Sequence, residues 1–323
     1  MRKALVIGIN NYPGGAKLHG CIPDALAFKK LIERHEDGLR NFDVAFYTDV
    51  ATKNDLTALV YEHFKGEHEV SVLYFSGHGA VNAIDGYLVT PDFEPFDPGL
   101  SLSHLMQLAN ESHHGNRVII LDCCHSGAAG VSAIMDRKAS VLNSGVTILA
   151  ASKPDESALE VDGGGIFTSL LLQAMEGGAA DICGNVTPAG IYSYIDQALG
   201  ALDQRPVFKT NITAFVPLRK VTPALPMAIL HRLTTYFKDP MKALPLDPSY
   251  EFTNCDTIVP VLKPPYAQAE HVAVFKALQQ MVSVGLVRPV GTPHMFFAAM
   301  DSLSCELTPL GRHYWRLVHE NRI

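Results

Sequence analysis

Short apolar runs rich in β-branched residues alternate with amphipathic helical stretches through about residue 215, and this alternation restricts the fold more than any other feature of the sequence. The pattern is typical of a mostly parallel sheet covered by helices on both faces. We therefore predict an α/β fold for this part of the chain. The predicted strands are Lys3–Ile9, Asp43–Tyr47, Glu69–Phe75, Arg117–Leu121, Val146–Ala150 and Pro206–Phe208.

Helical spacing and capping signals fall between these strands. Thr52 is placed to cap one helix. Thr187 is placed to cap a second helix and is followed by a proline at the first helical position. Proline is tolerated there because the N–H of that position makes no hydrogen bond within the helix. The predicted helices are Asp24–Arg34, Asn54–Phe64, Phe167–Met175 and 188–199.

A proline-rich break marks a domain boundary. With 323 residues, 47% of them apolar, the chain can bury two cores. The alternation stops at Val221–Pro226, and more prolines follow at Pro240–Pro248. We predict one domain over residues 1–220 and a smaller α+β domain over 221–323.

The smaller domain has a distinct predicted order of helix, hairpin and helix, similar to a winged helix. The helices are His271–Val284 and Thr308–Val318, and the hairpin joins Leu286–Pro289 to Met295–Ala299. From Thr222 onward nine Lys plus Arg stand against eight Asp plus Glu, which does not favour DNA binding. We expect a regulatory or protein-interaction domain.

Charge, hydropathy and cysteine content disfavour a nucleic-acid-binding protein, a membrane protein and a disulfide-rich protein. The formal net charge is −7 and no long basic run occurs, so nucleic acid is not the expected partner. No apolar stretch approaches the roughly 20 residues that a membrane span needs. Six cysteines without disulfide density or paired metal spacing fit a reducing cytoplasm, and we expect no resident metal.

Reactive side chains follow two predicted strands. The segment Ser76–Gly79 follows the third strand, and Asp122–Gly127 follows the fourth. In open α/β sheets, ligands bind outside the carboxyl ends of the strands. A cysteine nucleophile there could be activated by a histidine on a neighbouring strand end. Adjacent glycines admit a peptide and leave N–H groups for a developing oxyanion.

Over about residues 1–215 the sequence resembles the caspase superfamily, most closely its metacaspase-like branch. Four segments carry the resemblance in matching order and spacing, namely Ala4–Tyr12, Leu18–Ala25, Tyr74–Gly79 and Asp122–Gly127. The resemblance implies a caspase-like sheet flanked by helices. It also implies a cysteine endopeptidase that needs no cofactor in its catalytic steps.

The resemblance assigns catalytic roles by position. His78 matches the histidine of the family's catalytic dyad, and Cys124 matches its nucleophile. The backbone N–H groups of Gly79 and Cys124 would then form the oxyanion hole. Attack by Cys123 instead remains an alternative, although adjacent residues of a strand lie on different sides.

Metacaspases place acidic residues in the pocket for the residue before the scissile bond. Asp24 and Asp122 match those positions, with Cys21 and Ser76 at further pocket positions. This implies cleavage after Arg or Lys, since two carboxylates attract a basic side chain and repel aspartate. The alternatives are a charge favoured at a helix N-terminus for Asp24 and a strand-end acceptor for Asp122.

The resemblance also raises questions of regulation. Many metacaspases bind calcium through an acidic cluster, but the acidic residues after His78 are scattered, which makes calcium dependence a weaker expectation. The segment after the nucleophile contains Arg137 and Lys138, which suggests self-cleavage there, with a plain charged loop as the alternative.

The function of the protein as a whole is open to three interpretations. In bacterial relatives such a domain often couples the peptidase to an activating protein partner or to a defence pathway. The rival interpretations are a catalytically silent adaptor and a regulator tethered to DNA by the C-terminal domain. Intact His78 and Cys124 favour the active enzyme.

Overall fold

The computed structural model describes residues 1–82, 85–124, 142–151, 160–161, 164–199, 206–214, 216–255 and 262–323. The chain forms two compact units, Met1–Thr222 and Pro223–Ile323, and each is described by itself below.

Strands and helices alternate through most of the first unit. Its helices are α1 (Cys21–Glu33), α2 (Lys53–Phe64), α3 (Leu102–Glu111), α4 (Ile166–Gln173) and α5 (Pro188–Ala198), and a π-helical turn, Ala174–Gly178, extends α4. Its strands are β1 (Arg2–Gly8), β2 (Asp43–Thr48), β3 (Val70–Val81), β4 (Gly86–Glu94), β5 (Asp97–Ser101), β6 (Asn116–Cys124), β7 (Val146–Ala150), β8 (Glu160–Val161), β9 (Gly164–Gly165), β10 (Asn185–Val186), β11 (Val207–Asn211) and β12 (Arg219–Lys220).

The main sheet has the order β11-β7-β6-β3-β1-β2. Strands β2, β1, β3, β6 and β7 pair in parallel, and β11 lies antiparallel to β7 at the edge. Beyond this sheet the end of β3 pairs with β4, which in turn pairs with β5. The predicted mostly parallel α/β fold is confirmed.

Helices cover both faces of the sheet. Because side chains of a strand alternate between faces, Leu73 and Phe75 of β3 pack in one cluster with α2 and α3. Val72 and Tyr74 pack in the other with α1, α4 and α5. The sheet is therefore a buried central layer, and its strand ends are held from both sides.

The predicted helix starts are confirmed where a threonine caps them. Thr52 Oγ1 accepts from the Asp55 N–H, and Thr187 Oγ1 accepts from the Gly190 N–H. The strands at the motifs are longer than predicted. β3 continues past Phe75 to Val81 because its end pairs with β4, so His78 lies within the strand. β6 likewise continues to Cys124.

The second unit is α+β. Its elements are α6 (Met227–Leu230), α7 (Leu233–Tyr236), β13 (Leu244–Pro245), a 3₁₀ turn (Pro248–Tyr250), α8 (Ala269–Ser283), β14 (Val287–Val290), α9 (Met295–Met300), β15 (Ser304–Leu307) and α10 (Pro309–His319). Its small sheet is antiparallel, in the order β13-β15-β14. None of the helices in the described ranges of either unit is long and apolar enough to cross a membrane.

The hairpin prediction for this unit is wrong in one arm. Residues 295–299 belong to a helix, and β14 pairs with β15 instead. Met295, Ala298 and Ala299 are buried at helical spacing, and alanine and methionine are good helix formers, so this apolar run favours a helix over a strand. The likeness to a winged helix stays a prediction.

Candidate active site

Both reactive motifs lie at the carboxyl ends of neighbouring parallel strands. In the β3–β6 register Ser76 pairs with Asp122, Gly77 with Cys123 and His78 with Cys124. Paired residues on adjacent strands are about 5 Å apart between their backbones. The sheet therefore brings together two motifs that are more than 40 residues apart in the sequence.

The His78 imidazole has one bonded and one unbonded nitrogen. Nε2 lies 2.7 Å from the Ala16 carbonyl oxygen. A carbonyl only accepts, so Nε2 carries the hydrogen, and in the neutral ring Nδ1 holds the lone pair. Nδ1 is buried and has no hydrogen-bond partner among the described residues. In the neutral ring, Nδ1 is thus the nitrogen with a free lone pair.

Tyr12 holds His78 from a second direction. The two rings are 4.5 Å apart between centroids, at 58°. The Tyr12 hydroxyl accepts from the His78 N–H at 3.0 Å and donates to the Val89 carbonyl at 3.2 Å. Burial raises the pKa of this phenol, so it remains a donor. One buried side chain therefore packs against the His78 ring and bonds its backbone.

The loop between β1 and α1 supplies both contacts to His78, and Asp49 anchors it. Asp49 Oδ1 accepts from the N–H groups of Asn10 and Asn11 at 2.8 and 3.0 Å. Asn10 Oδ1 in turn accepts from the Ile22 N–H at the start of α1. The same loop thus connects the orientation of His78 to the position of α1.

Asp122 is a buried carboxylate with a defined partner. It is 3% exposed, and its Oδ2 accepts from Thr168 Oγ1 at 2.5 Å. Burial raises the pKa of Asp122 to about 6, the Thr168 bond opposes this rise, and the charge of Asp24 adds to it. Above pH 6 the site therefore contains a desolvated negative charge.

The other predicted pocket residues lie around this carboxylate. Asp24 is in the first turn of α1, close enough for its charge to act on Asp122. Ser76 is buried and is the register partner of Asp122. Cys21, the first residue of α1, is also buried and interacts electrostatically with Cys123. The structure thus gathers these residues beside the strand ends.

Cys123, the first of the two adjacent cysteines, lies in an apolar environment. Cys123 is 3% exposed and belongs to the apolar cluster that includes Leu121 and Ala150. Burial, with the nearby Asp122 charge, raises the pKa of its thiol well above the usual range. Cys124 is the last residue of β6, and the structure describes its backbone only.

Comparison with known proteins identifies the family of the first unit. The Peptidase C14 family model, described as the caspase domain, matches residues 1–214. The chain belongs to this caspase-domain family. This confirms the resemblance on which the motif assignments rest.

One curated relative and one solved structure show how far the likeness extends. Metacaspase-1 of Mycosarcoma maydis is 28% identical over 148 residues, which cover 40% of this chain and 36% of the relative. The chain thus spans about a third of that curated protein. The crystal structure of protein GSU0716 from Geobacter sulfurreducens is similar with a TM-score of 0.51 at 18% identity, covering 68% of this chain and 99% of that one. The second likeness supports the fold alone.

Two further predictions concern Gly79 and the segment after Cys124. Gly79 follows His78 in β3 and pairs with Leu88 of β4. Arg137 and Lys138, the predicted self-cleavage residues, lie outside the described residues.

The scattered acidic residues after His78 have structural partners. Asp85 accepts from the N–H groups of Gly86 and Ser103. Asp92 accepts from the Lys53 N–H at the start of α2, and Asp97 pairs with the Lys53 ammonium at 2.6 Å. Within the described ranges no three His, Cys, Asp or Glu side chains are grouped to hold a metal ion. These contacts do not form the cage of six to eight oxygens that calcium prefers.

Sequence reasoning missed Thr168 and the contacts that Tyr12, Ala16 and Asp49 make. These residues come from three separate segments, with Tyr12 and Ala16 in one loop, and carry no local motif that names a role. Tyr12 did fall within a family-like segment, but only the fold reveals its contact with His78.

Proposed function

We propose that this caspase-family protein is a cysteine endopeptidase that cleaves after Arg or Lys, with Cys124 as nucleophile and His78 as base. The pairing of His78 with Cys124 at the ends of β3 and β6 is the observation that carries the proposal. The hydrogen bond from His78 Nε2 to Ala16 supports it, because this bond leaves Nδ1 as the basic nitrogen.

The proposed reaction has two steps. His78 Nδ1 takes the proton of the Cys124 thiol, and the thiolate attacks the peptide carbonyl. The imidazolium then protonates the leaving amine as the C–N bond breaks, which leaves an acyl-enzyme. Water, deprotonated by His78, hydrolyses the thioester and restores the thiol. The N–H groups of Gly79 and Cys124 would stabilise the oxyanion, and the steps need no cofactor.

Burial argues against Cys123 as the nucleophile. A reactive cysteine needs solvent access and a stabilised thiolate. Cys123 lies in the apolar core, where its thiolate is strongly disfavoured. This leaves Cys124, the register partner of His78, as the residue for attack.

Charge supports a preference for basic residues. Asp24 and Asp122 interact electrostatically, so the two carboxylates lie near each other beside the strand ends. An Arg or Lys side chain there would relieve their repulsion, and an Asp side chain would add to it.

The proposal also covers how the peptidase is regulated by other parts of the chain. We propose self-cleavage after Arg137 or Lys138, and recruitment of an activating protein partner through residues 221–323, in the cytoplasm. Intact mass of the active enzyme after prolonged incubation tests the first point. An unchanged mass contradicts self-cleavage, and Cys124→Ala provides the uncut reference.

Peptide cleavage tests the proposed specificity. Fluorogenic peptides ending in Arg, Lys or Asp are compared, with and without calcium, on wild type, Asp24→Asn and Asp122→Asn. We expect cleavage after Arg and Lys that does not require calcium and that falls at least tenfold in each variant, since one counter-charge of the pocket is lost. Cleavage after Asp contradicts the acidic pocket. No cleavage by wild type contradicts an autonomous peptidase and favours a silent adaptor or an enzyme that requires its partner.

A further inference from the structure

A chain of buried hydrogen bonds leads to Asp122 on the face of the sheet that packs against α1, α4 and α5. Tyr74 and Thr168 are fully buried, and Asp122 nearly so. The Tyr74 hydroxyl lies 2.8 Å from Thr168 Oγ1, which lies 2.5 Å from Asp122 Oδ2. An ionised carboxylate only accepts, so Thr168 donates to Asp122 and Tyr74 donates to Thr168.

The chain is held by three elements. Tyr74 belongs to β3 and stacks on Phe28 of α1, with ring centroids 4.4 Å apart at 15°. Thr168 is the third residue of α4, and Asp122 belongs to β6. Burial raises the pKa of Tyr74, so its hydroxyl stays protonated and donates its hydrogen bond to Thr168 Oγ1. The Thr168 hydroxyl is thereby oriented toward the carboxylate.

Among the residues that the structure describes, few other groups influence the charge of Asp122. From α1 the carboxylate faces Asp24, and from β3 it faces Tyr74, with His78 two residues beyond its partner Ser76. Cys123 is its neighbour on β6. The sequences of α4 and β7 contain no titratable side chain. Burial and Asp24 both disfavour the ionised form, and the Thr168 bond favours it.

We propose that Thr168 is a positioning residue for specificity, whose hydroxyl, oriented by Tyr74, keeps the Asp122 carboxylate ionised and ready to pair with a basic substrate side chain at neutral pH. This inference rests on the proposed Arg/Lys peptidase. Without the hydroxyl, the buried carboxylate loses a charge-assisted bond and takes up a proton more readily.

The test compares two pH profiles in wild type, Thr168→Val and Thr168→Ser. The first profile is kcat/KM on an Arg peptide, which depends on the catalytic dyad and on the charge of Asp122. The second is the rate at which iodoacetamide, a small neutral reagent, alkylates Cys124, followed by peptide mass spectrometry so that the other five cysteines do not contribute. Valine matches the shape of threonine without the hydroxyl, and serine retains the hydroxyl.

We expect the acid limb of kcat/KM in Thr168→Val to move up by about one pH unit, because the lost charge-assisted bond is worth about one unit of pKa. Activity then falls about fivefold near pH 6, approaches a loss of about tenfold at lower pH, and recovers by about pH 9. The alkylation profile stays unchanged, Thr168→Ser stays close to wild type, and Tyr74→Phe shows a smaller shift in the same direction.

Two outcomes would overturn the inference while leaving the peptidase intact. One is an acid limb in Thr168→Val that coincides with that of wild type. The other is a loss by the same factor at every pH, which indicates a structural role only.

A wild-type enzyme that cleaves no Arg or Lys peptide contradicts the proposed function instead. The ionisation of Asp122 is then measured from unfolding. The stability difference between Asp122→Asn and its parent is followed against pH, in the wild-type background and in Thr168→Val. A midpoint that does not rise in the Thr168→Val background overturns the inference by itself.

Discussion

His78 and Cys124 occupy the same register position on neighbouring parallel strands. The pairing runs without interruption back to Val70 and Asn116, so the relative position of the two backbones is fixed by the centre of the sheet. A slip by one residue would reverse the faces of every side chain on the strand and expose its core residues. The sheet, more than the loops, therefore brings the two residues together.

Tyr12→Phe should slow catalysis more than it weakens substrate binding. The ring would remain against His78, but the N–H of His78 and the carbonyl of Val89 would lose their shared partner. We expect kcat to fall about tenfold with little change in KM, and the free energy of unfolding to fall by about 1–3 kcal/mol. Steady-state kinetics and urea unfolding measure both effects. Tyr47→Phe, at an exposed tyrosine of β2, is the control, and a kcat equal to that of wild type contradicts the role of Tyr12.

Asp122→Asn should stabilise the fold and abolish the preference for basic residues. Its folded pKa of about 6 is above the usual 3.8, so protonation is favoured in the folded state. The raised pKa of Asp122 contributes stability that is fully present below the unfolded pKa of 3.8. This stability is lost as the pH rises through about 6. We expect the variant to exceed wild type by roughly 1–3 kcal/mol above pH 7 and to match it near pH 4.

Urea unfolding from pH 4 to 8 measures this difference. Asp37→Asn, at an exposed aspartate of the same unit, should show no comparable pH dependence. A wild type that is the more stable protein at pH 7 and above contradicts the buried, uncompensated charge.

His63 should make the first unit sensitive to acid. It is 7% exposed on α2, and burial lowers its pKa to about 3, with Lys3, His114 and His68 also opposing its charge. Because the folded pKa is depressed, the stability that neutral His63 contributes is present above its unfolded pKa of 6.5 and is lost as pH falls through 6.5 toward 3.

His63→Gln should therefore lose less stability than wild type between pH 7 and pH 4, by about 3 kcal/mol in the limit of full burial. Chemical unfolding at a series of pH values gives the comparison. His113→Gln, at an exposed histidine of the same unit, is the control. Parallel stability profiles for wild type and His63→Gln would rule out this source of acid sensitivity.

The strand cores were predictable because each is a short apolar run bounded by polar or turn residues, and β7 was predicted to the residue. The ends of β3 and β6 were not, because Ser-Gly-His-Gly has little strand propensity of its own and is held extended by β4 and β6. Likewise, the apolar run at 295–299 was predicted as a strand but forms a helix, because its residues are buried at helical spacing.

The candidate site was predictable only where residues lie in motifs. His78, Cys124 and Asp122 follow strands directly and could be found in the sequence. Thr168 lies 46 residues beyond Asp122, in an ordinary apolar helix, and only tertiary structure brings its hydroxyl to the carboxylate. The Ala16 contact uses a backbone carbonyl, which no side-chain pattern can reveal.

Parallel assays of wild type, Cys124→Ala and Cys123→Ala on an Arg peptide test the central claim, the His78–Cys124 dyad, most directly. We predict that Cys124→Ala is inactive and that Cys123→Ala, which only shortens a buried side chain, keeps most of the activity with a small loss of stability. Activity that survives in Cys124→Ala and disappears in a folded Cys123→Ala would contradict the account.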